Sequence, residues 1–269
     1  MKIKHNLYPG GKYKALTLSY DDGTIHDRRM VEIMNRYHIK GSFHLNSGVL
    51  GHPNNVKASE VKALYDGHEV SAHSVTHPFL EQIPRERVIM EMIDDRKALE
   101  QLVGYPVRGM SYPFGTFNQQ VVDLLSALGF QYARTVLSTQ EFRLPESPLL
   151  WKPTCHHKEM LQLGEQYLKL GTEPKRNNLS LFYVWGHSYE FENDSNWEEF
   201  ETFCRMMSNA DDIWFATNIE IIDYLDAVRR LNYSLDGTLV SNPSAISVWI
   251  EVNQTPVEIK AGELKSLQS

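Results

Sequence analysis

Everything in this chain leads back to Ser19-Tyr20-Asp21-Asp22-Gly23, where an alternating apolar run (Leu16, Leu18, Tyr20) stops at two acids and a glycine. Apolar residues at every second position predict a strand, and Asp-Asp-Gly predicts the turn at its carboxyl end. Adjacent carboxylates push each other's pKa values apart, so the two are suited to different tasks. One can hold a cation while the other moves protons, although two solvated acids in a turn would give the same residues. The stretch His73-Ser74-Val75-Thr76-His77 favours the cation. Its histidines are four apart, a spacing that on a helical turn points both imidazoles the same way. Two imidazoles and one carboxylate suit zinc or another divalent first-row metal. A three-ligand site also leaves a position for water, whose pKa the metal lowers towards about 7.

Working outward, strand and helix signals alternate. Met30, Ile33, Met34 and Tyr37 mark one helical face, and residues 42–45 read as the next strand. A helix is predicted from an N-cap at Ser59 to Gly67, then a short strand at 69–72 that delivers His73. A longer helix runs from Pro84 to Gly104, a strand follows at 107–113, and Asn118 caps a helix that Gly129 stops. After a strand at 130–136, residues 137–153 carry three prolines and no period, which predicts a long loop. A helix at 157–170, a strand at 179–185 ending in Gly186-His187-Ser188, a helix at 197–207, a strand at 214–217 and a helix bearing Ile221, Leu225 and Val228 complete the series. Strand then helix, repeated about seven times, predicts an α/β fold with a parallel sheet. The polar residues gather where strands end, at Asp21, Asp22, His73, 112–114 and His187, and in barrels of this kind the active site lies at those ends.

From residue 235 the pattern changes. Val248, Ile250 and Val252 alternate, Asn253-Gln254 reads as a turn, and Val257 and Ile259 alternate again, which predicts a hairpin. The expected organisation is a catalytic domain at 1–234 and a small β appendage at 235–269 packed on it. A formal charge of −7 argues against a general nucleic-acid binder. Two cysteines, Cys155 and Cys204, are too few for a disulfide framework. No apolar leader precedes the first strand and no run is long enough to span a membrane, so the chain as it stands points to the cytoplasm.

Residues 19–23 resemble the Thr-Phe-Asp-Asp-Gly first motif of the polysaccharide deacetylases, the NodB-homology domain of carbohydrate esterase family 4. His73-Ser74-Val75-Thr76-His77 is similar to that family's His-Ser/Thr-x-x-His motif, Ser111-Tyr112-Pro113-Phe114-Gly115 to its third, and Val184-Trp185-Gly186-His187 to its last. The resemblance spans about residues 14 to 225. It implies a distorted (β/α)₇ barrel of the NodB-homology type, with the C-terminal β-hairpin as an appendage. It implies Asp22, His73 and His77 as ligands of a divalent metal, usually Zn²⁺, and Asp21 as the base acting on the water. The Phe114 amide would stabilise the oxyanion and His187 would protonate the leaving amine.

Two departures stand out. Ser111 occupies the place of the arginine that usually orients the base, and Arg108 lies nearby but out of register. No acid is placed to pair with His187, and Trp151 is the aromatic candidate for the unclear fourth motif. Tyr112, Phe114 and Trp151 are candidate substrate contacts, with core packing the alternative for each. The adjacent His156-His157 pair reads as surface or structural, and it is the pair to check for a secondary role. The expected reaction is removal of acetyl from an N-acetylated sugar or oligosaccharide. An O-acetyl esterase and a carbohydrate-binding protein with weakened catalysis are the alternatives. The expected partner is an acetylated carbohydrate, and the oligomeric state is open.

Overall fold

A computed structural model describes residues 1–170 and 179–268. Strand β1 (Ile3–Lys4) is followed by β2 (Lys14–Asp21), α1 (Asp27–Arg36), β3 (Gly41–Leu45), the short α2 (Val61–Leu64), β4 (Glu69–Ala72), α3 (Arg85–Val103), β5 (Gly109–Ser111), α4 (Gln119–Ala127) and β6 (Tyr132–Arg134). The second half runs β7 (Cys155–His156), α5 (Met160–Leu168), β8 (Ser180–His187), α6 (Ser188–Asn193), α7 (Trp197–Ser208), β9 (Ile213–Phe215) and α8 (Asn218–Arg229). Five short strands end the chain: β10 (Asn232–Tyr233), β11 (Leu239–Ser241), β12 (Val248–Val252), β13 (Thr255–Ile259) and β14 (Leu264–Ser266).

The boundaries follow local chemistry. Pro84 precedes α3, and Gly104 ends it in the left-handed region at φ 82°, a conformation that is cheap only for glycine. Asn118 accepts a hydrogen bond from the Val121 amide to start α4. Thr217 and Glu220 form a reciprocal capping box on α8. The helix expected between Ser59 and Gly67 shrinks to a 3-10 turn and the single turn of α2.

The main sheet is parallel, in the order β6-β5-β4-β3-β2-β8-β7, and curls into a half-barrel. Along the β2 edge that β3 takes from Leu18 onward, β9 pairs with Lys14 to Leu16. The predicted long loop differs in one respect. Trp151 bridges β6 at Arg134, and four residues on, β7 pairs with β8, so this stretch spans the gap between the sheet's two edges.

Alternation sorts the strand residues onto two faces. Leu16, Leu18, Tyr20, Phe43, Leu45 and Val70 pack under the helices in one large core. Their neighbours face the barrel interior, where Thr17, Ser19, Asp21, Ser42, His44 and Glu69 are all buried. Polar groups buried in this way must be partnered, and nearly all of these are. A second core closes the barrel with α8 and the tail, joining Tyr132, Trp151 and Tyr183 to Ile221, Tyr224, Val248 and Ile250.

The tail hairpin pairs β12 with β13 from Val248↔Ile259 to Val252↔Thr255. It also takes in the chain's beginning, since β1 pairs with β12, while β10 pairs with β11 in a separate sheet. The division at 234/235 stays a proposal; β1 and β10, which precede it, pair with strands of the tail.

Candidate active site

Register places the two ends of the site side by side. In β2, Asp21 lies opposite His44 of β3 on one edge and opposite His187 of β8 on the other. The chain then turns sharply at Asp22, whose φ is +76°, with its amide donating to the His44 carbonyl at 3.0 Å. This turn separates the two carboxylates: Asp21 stays inside at 2% exposure, and Asp22 moves to the rim.

His73 and His77 do converge, but without the helical turn that their spacing suggested. Residues 73–77 form a loop with Ser74 at φ +67° and His77 at φ +57°, and the two rings meet at 4.7 Å. Polar side chains from α3 and from the segment after β3 hold that loop. Asp95 accepts from the amides of Ser47 (2.8 Å) and His73 (3.0 Å), and Glu91 accepts from the Thr76 amide and hydroxyl at 2.8 Å each. The Asn46 amide group donates to the carbonyls of His73 and Ser74.

Asp22 Oδ1 lies 3.6 Å from His73 Nε2 and 3.8 Å from His77 Nε2. The three donor atoms fall within 4.8 Å of one another. His73 Nδ1 sits 2.8 Å from the Ser111 carbonyl and 2.7 Å from its hydroxyl, which in turn donates to Asp21. That arrangement puts the proton on Nδ1 and leaves the Nε2 lone pair facing Asp22, as a metal-binding imidazole requires. The residues fit a divalent cation.

Asp21 meets an arginine, and it does not come from the third motif. Arg134, at the end of β6 and fully buried, donates Nη2 to Asp21 Oδ2. Burial alone would raise the Asp21 pKa, but Arg134, with His73, His44 and His187 behind it, holds the carboxyl well below its ordinary range. The guanidinium also lies 4.7 Å from the Trp185 ring. The signal available in the sequence was one charge, Arg134, in the short strand-like run after Phe130. Arg108 has another task, a two-pronged pair with Asp223 of α8 at 2.7 Å to each oxygen.

On the opposite side, His187 Nε2 is 4.0 Å from Asp22 Oδ2, and its Nδ1 is 2.6 Å from Glu190 Oε1. Burial opposes charge on His187, yet the bond to Glu190 and the nearby Asp21 and Asp22 outweigh it and raise its pKa. Glu190 was legible only as an acid near a strand end. It acts here because α6 begins directly after β8 and sets residues 187 and 190 on one face.

A family model described as polysaccharide deacetylase matches residues 9–133. This region belongs to the polysaccharide deacetylase family. The peptidoglycan-N-acetylglucosamine deacetylase PgdA of Listeria monocytogenes is 26% identical over 142 residues, which are 52% of this chain and 29% of that protein. The chain thus spans less than a third of that relative's length. A Mycobacterium smegmatis structure with a provisional polysaccharide deacetylase assignment aligns at a TM-score of 0.63, with 15% identity over 85% of this chain and 96% of that one. BA3943 of Bacillus anthracis, described as a family 4 carbohydrate esterase pseudoenzyme, aligns at 0.53, with 16% identity over 80% of this chain and 66% of that one. These likenesses give the fold, a NodB-type half-barrel.

Within the deacetylase fold, the family match contains Asp21, Asp22, His73, His77 and Ser111 and stops one residue short of Arg134. Two expected substrate contacts do not reach the cleft. Trp151 is 1% exposed and stands edge-on between Tyr132 and Tyr183, plugging the barrel. Tyr112 is equally buried and donates its hydroxyl to the Leu149 carbonyl. Both were drawn in because aromatic side chains are the cheapest way to fill a core. Phe114 does face outward, at φ +59°, stacked on Phe79 at 3.8 Å and edge-on to His77 at 4.4 Å. Gly115 permits that turn, because a Cβ there would stand 2.3 Å from the Val136 side chain.

Proposed function

We propose that this protein is a metal-dependent hydrolase that removes acetyl groups from an N-acetylated sugar or oligosaccharide. The observation that carries the reading is the meeting of Asp22, His73 and His77 within 4.8 Å, with Asp21 ionised behind them and His187 across the cleft. Asp22, His73 and His77 would hold the cation, most simply zinc. When bound, it would lower the pKa of a water and polarise the acetyl carbonyl.

The chain's own groups supply the rest. Asp21 takes the proton of the attacking water at its carboxylate, oriented by Arg134 and Ser111. The Phe114 amide donates to the developing oxyanion, where a fixed dipole is worth most. His187 delivers a proton from Nε2 to the leaving amine while its Nδ1 stays on Glu190, a role suited to an imidazole near neutral pH. The name of PgdA specifies an N-acetyl sugar, which favours amide over ester cleavage. Cys155 and Cys204 are free and buried, in keeping with a reducing compartment. Among the described residues no helix is long and apolar enough to cross a membrane.

Acetate release from a panel of N- and O-acetylated oligosaccharides, with zinc-loaded protein, tests the reading. Release from N-acetyl substrates should fall by at least about 10³-fold in Asp21→Asn, roughly 4 kcal/mol of transition-state stabilisation, with zinc still bound. Release that survives this substitution would remove Asp21 as the base. Release from esters alone would make the protein an esterase.

A further inference from the structure

Glu190 holds more than His187. Its second oxygen, Oε2, lies 3.3 Å from His156 Nε2 and 3.3 Å from His157 Nε2. His156 ends β7 and His157 opens the 3-10 turn after it, and the pairing of β7 with β8 (Cys155↔Val184, His156↔Trp185) carries them across to the site. Three imidazoles therefore surround one carboxylate, which is only 19% exposed.

We propose that His156 and His157 are positioning residues: both donate Nε2–H to Glu190, fixing the carboxylate that holds His187 with its Nε2 toward the cleft. The proposal rests on the function given above. Proton positions support it. His156 Nδ1 accepts from the Lys158 amide at 3.4 Å, which leaves the ring proton on Nε2. His157 Nδ1 faces Gly186, where a Cβ would stand 2.0 Å away, and among the described residues it has no hydrogen-bond partner. Burial keeps the His157 ring neutral, pushing its pKa down to about 4, so its single proton sits where the acceptor is, on Nε2. Burial would also raise the Glu190 pKa, but the three imidazole hydrogen bonds reverse that and hold it ionised.

The same cluster has the composition of a second cation site, and its donor atoms also lie within 4.8 Å of one another. A tetrahedral metal with bonds of about 2.0–2.1 Å sets its ligands roughly 3.3 Å apart, so spacing alone does not decide. The protons do. A ligating Nε2 needs its Nδ1–H held by an acceptor, and among the described residues neither His156 Nδ1 nor His157 Nδ1 has one. The three imidazoles act as a clamp on a carboxylate.

Imidazole ¹⁵N–¹H spectra of the full chain read the clamp directly, without any turnover. His156 and His157 should be Nε2–H tautomers and His187 should be protonated at Nδ1. Zinc added to one equivalent should shift His73 and His77 and leave the Nε2 protons of His156 and His157 in place. Nδ1–H tautomers at these two, or a second equivalent of zinc that removes their Nε2 protons, would overturn the proposal. A second arm compares His156→Phe/His157→Phe, which keeps ring volume beside Phe191 and loses both donors, with His156→Gln/His157→Gln, which restores an N–H. The Phe pair should lower kcat by about 10–100-fold with KM and zinc affinity unchanged, and the Gln pair should recover most of it. An unchanged kcat in the Phe pair would also overturn the clamp. If the wild type releases no acetate, the proposed function fails while the tautomers still decide the clamp.

Discussion

Asp21 and Glu69 are two carboxylates inside one barrel, 2% and 5% exposed, and their pKa values move in opposite directions. Glu69 accepts from the Ser42 hydroxyl (2.7 Å), the Tyr132 hydroxyl (2.8 Å) and the Ile219 amide (3.0 Å). Burial nevertheless pushes its pKa up to about 7, with the Glu220 charge adding to the rise. Asp21 has fewer neutral donors but faces Arg134, and its pKa falls instead. Neutral hydrogen bonds moderate the desolvation of a buried acid, whereas a buried cation reverses it. The amino-terminal half of the lumen thus holds its acid with neutral donors alone, and the carboxyl-terminal half keeps a fixed charge at Asp21.

Breaking the charged half should have the largest effect. Arg134→Met leaves Asp21 buried and unpaired, which typically costs about 3–5 kcal/mol, read by urea unfolding. Adding Asp21→Asn to it should return a large part of that loss, because the uncompensated charge is gone. Two single losses that simply add would mean that the pair is not coupled. Glu69→Gln tests the neutral half. The folded chain binds the Glu69 proton more tightly than the unfolded chain, so its contribution to stability is greatest below about pH 4.5 and is lost as pH rises towards about 7. Glutamine does not ionise, its oxygen still accepts from Ser42 and Ile219, and its amide group can face Tyr132, whose hydroxyl also reaches Ser71, so the variant should match the wild type at pH 4.5 and exceed it at pH 8. The gain is on the order of 3 kcal/mol, measured as unfolding free energy at both pH values. Equal curves would show that Glu69 is not the group held neutral.

The sequence signalled what depends on local pattern and hid what depends on packing. The alternation of Leu16, Leu18 and Tyr20 fixed β2, and its abrupt end located Asp21 and Asp22. His73 and His77 were found by spacing, although the loop that joins them obeys no helical period and is held by Asn46, Glu91 and Asp95 from elsewhere. Arg134 and Glu190 went unassigned because their partners are 113 and 3 residues away, in a strand register and a helix start that no periodicity announces. Trp151 shows the converse, since an aromatic close to motif positions reads the same whether it lines a cleft or fills a barrel.

The smallest expected effect lies between the two halves, at Asp95. Both of its oxygens accept backbone amides, one from Ser47 and one from His73, so this one side chain fixes where the loop carrying His73 and His77 leaves β4. Asp95→Asn preserves shape but offers a single acceptor oxygen, leaving one of those amides facing an NH₂ group. A misdirected support of this kind costs about tenfold in metal affinity, and calorimetric zinc titration should show that loss with binding still at one equivalent. An affinity unchanged from the wild type would mean that Asn46 and Glu91 hold the loop without Asp95. The placement of the histidines would then depend on the loop's other anchors rather than on the helix behind it.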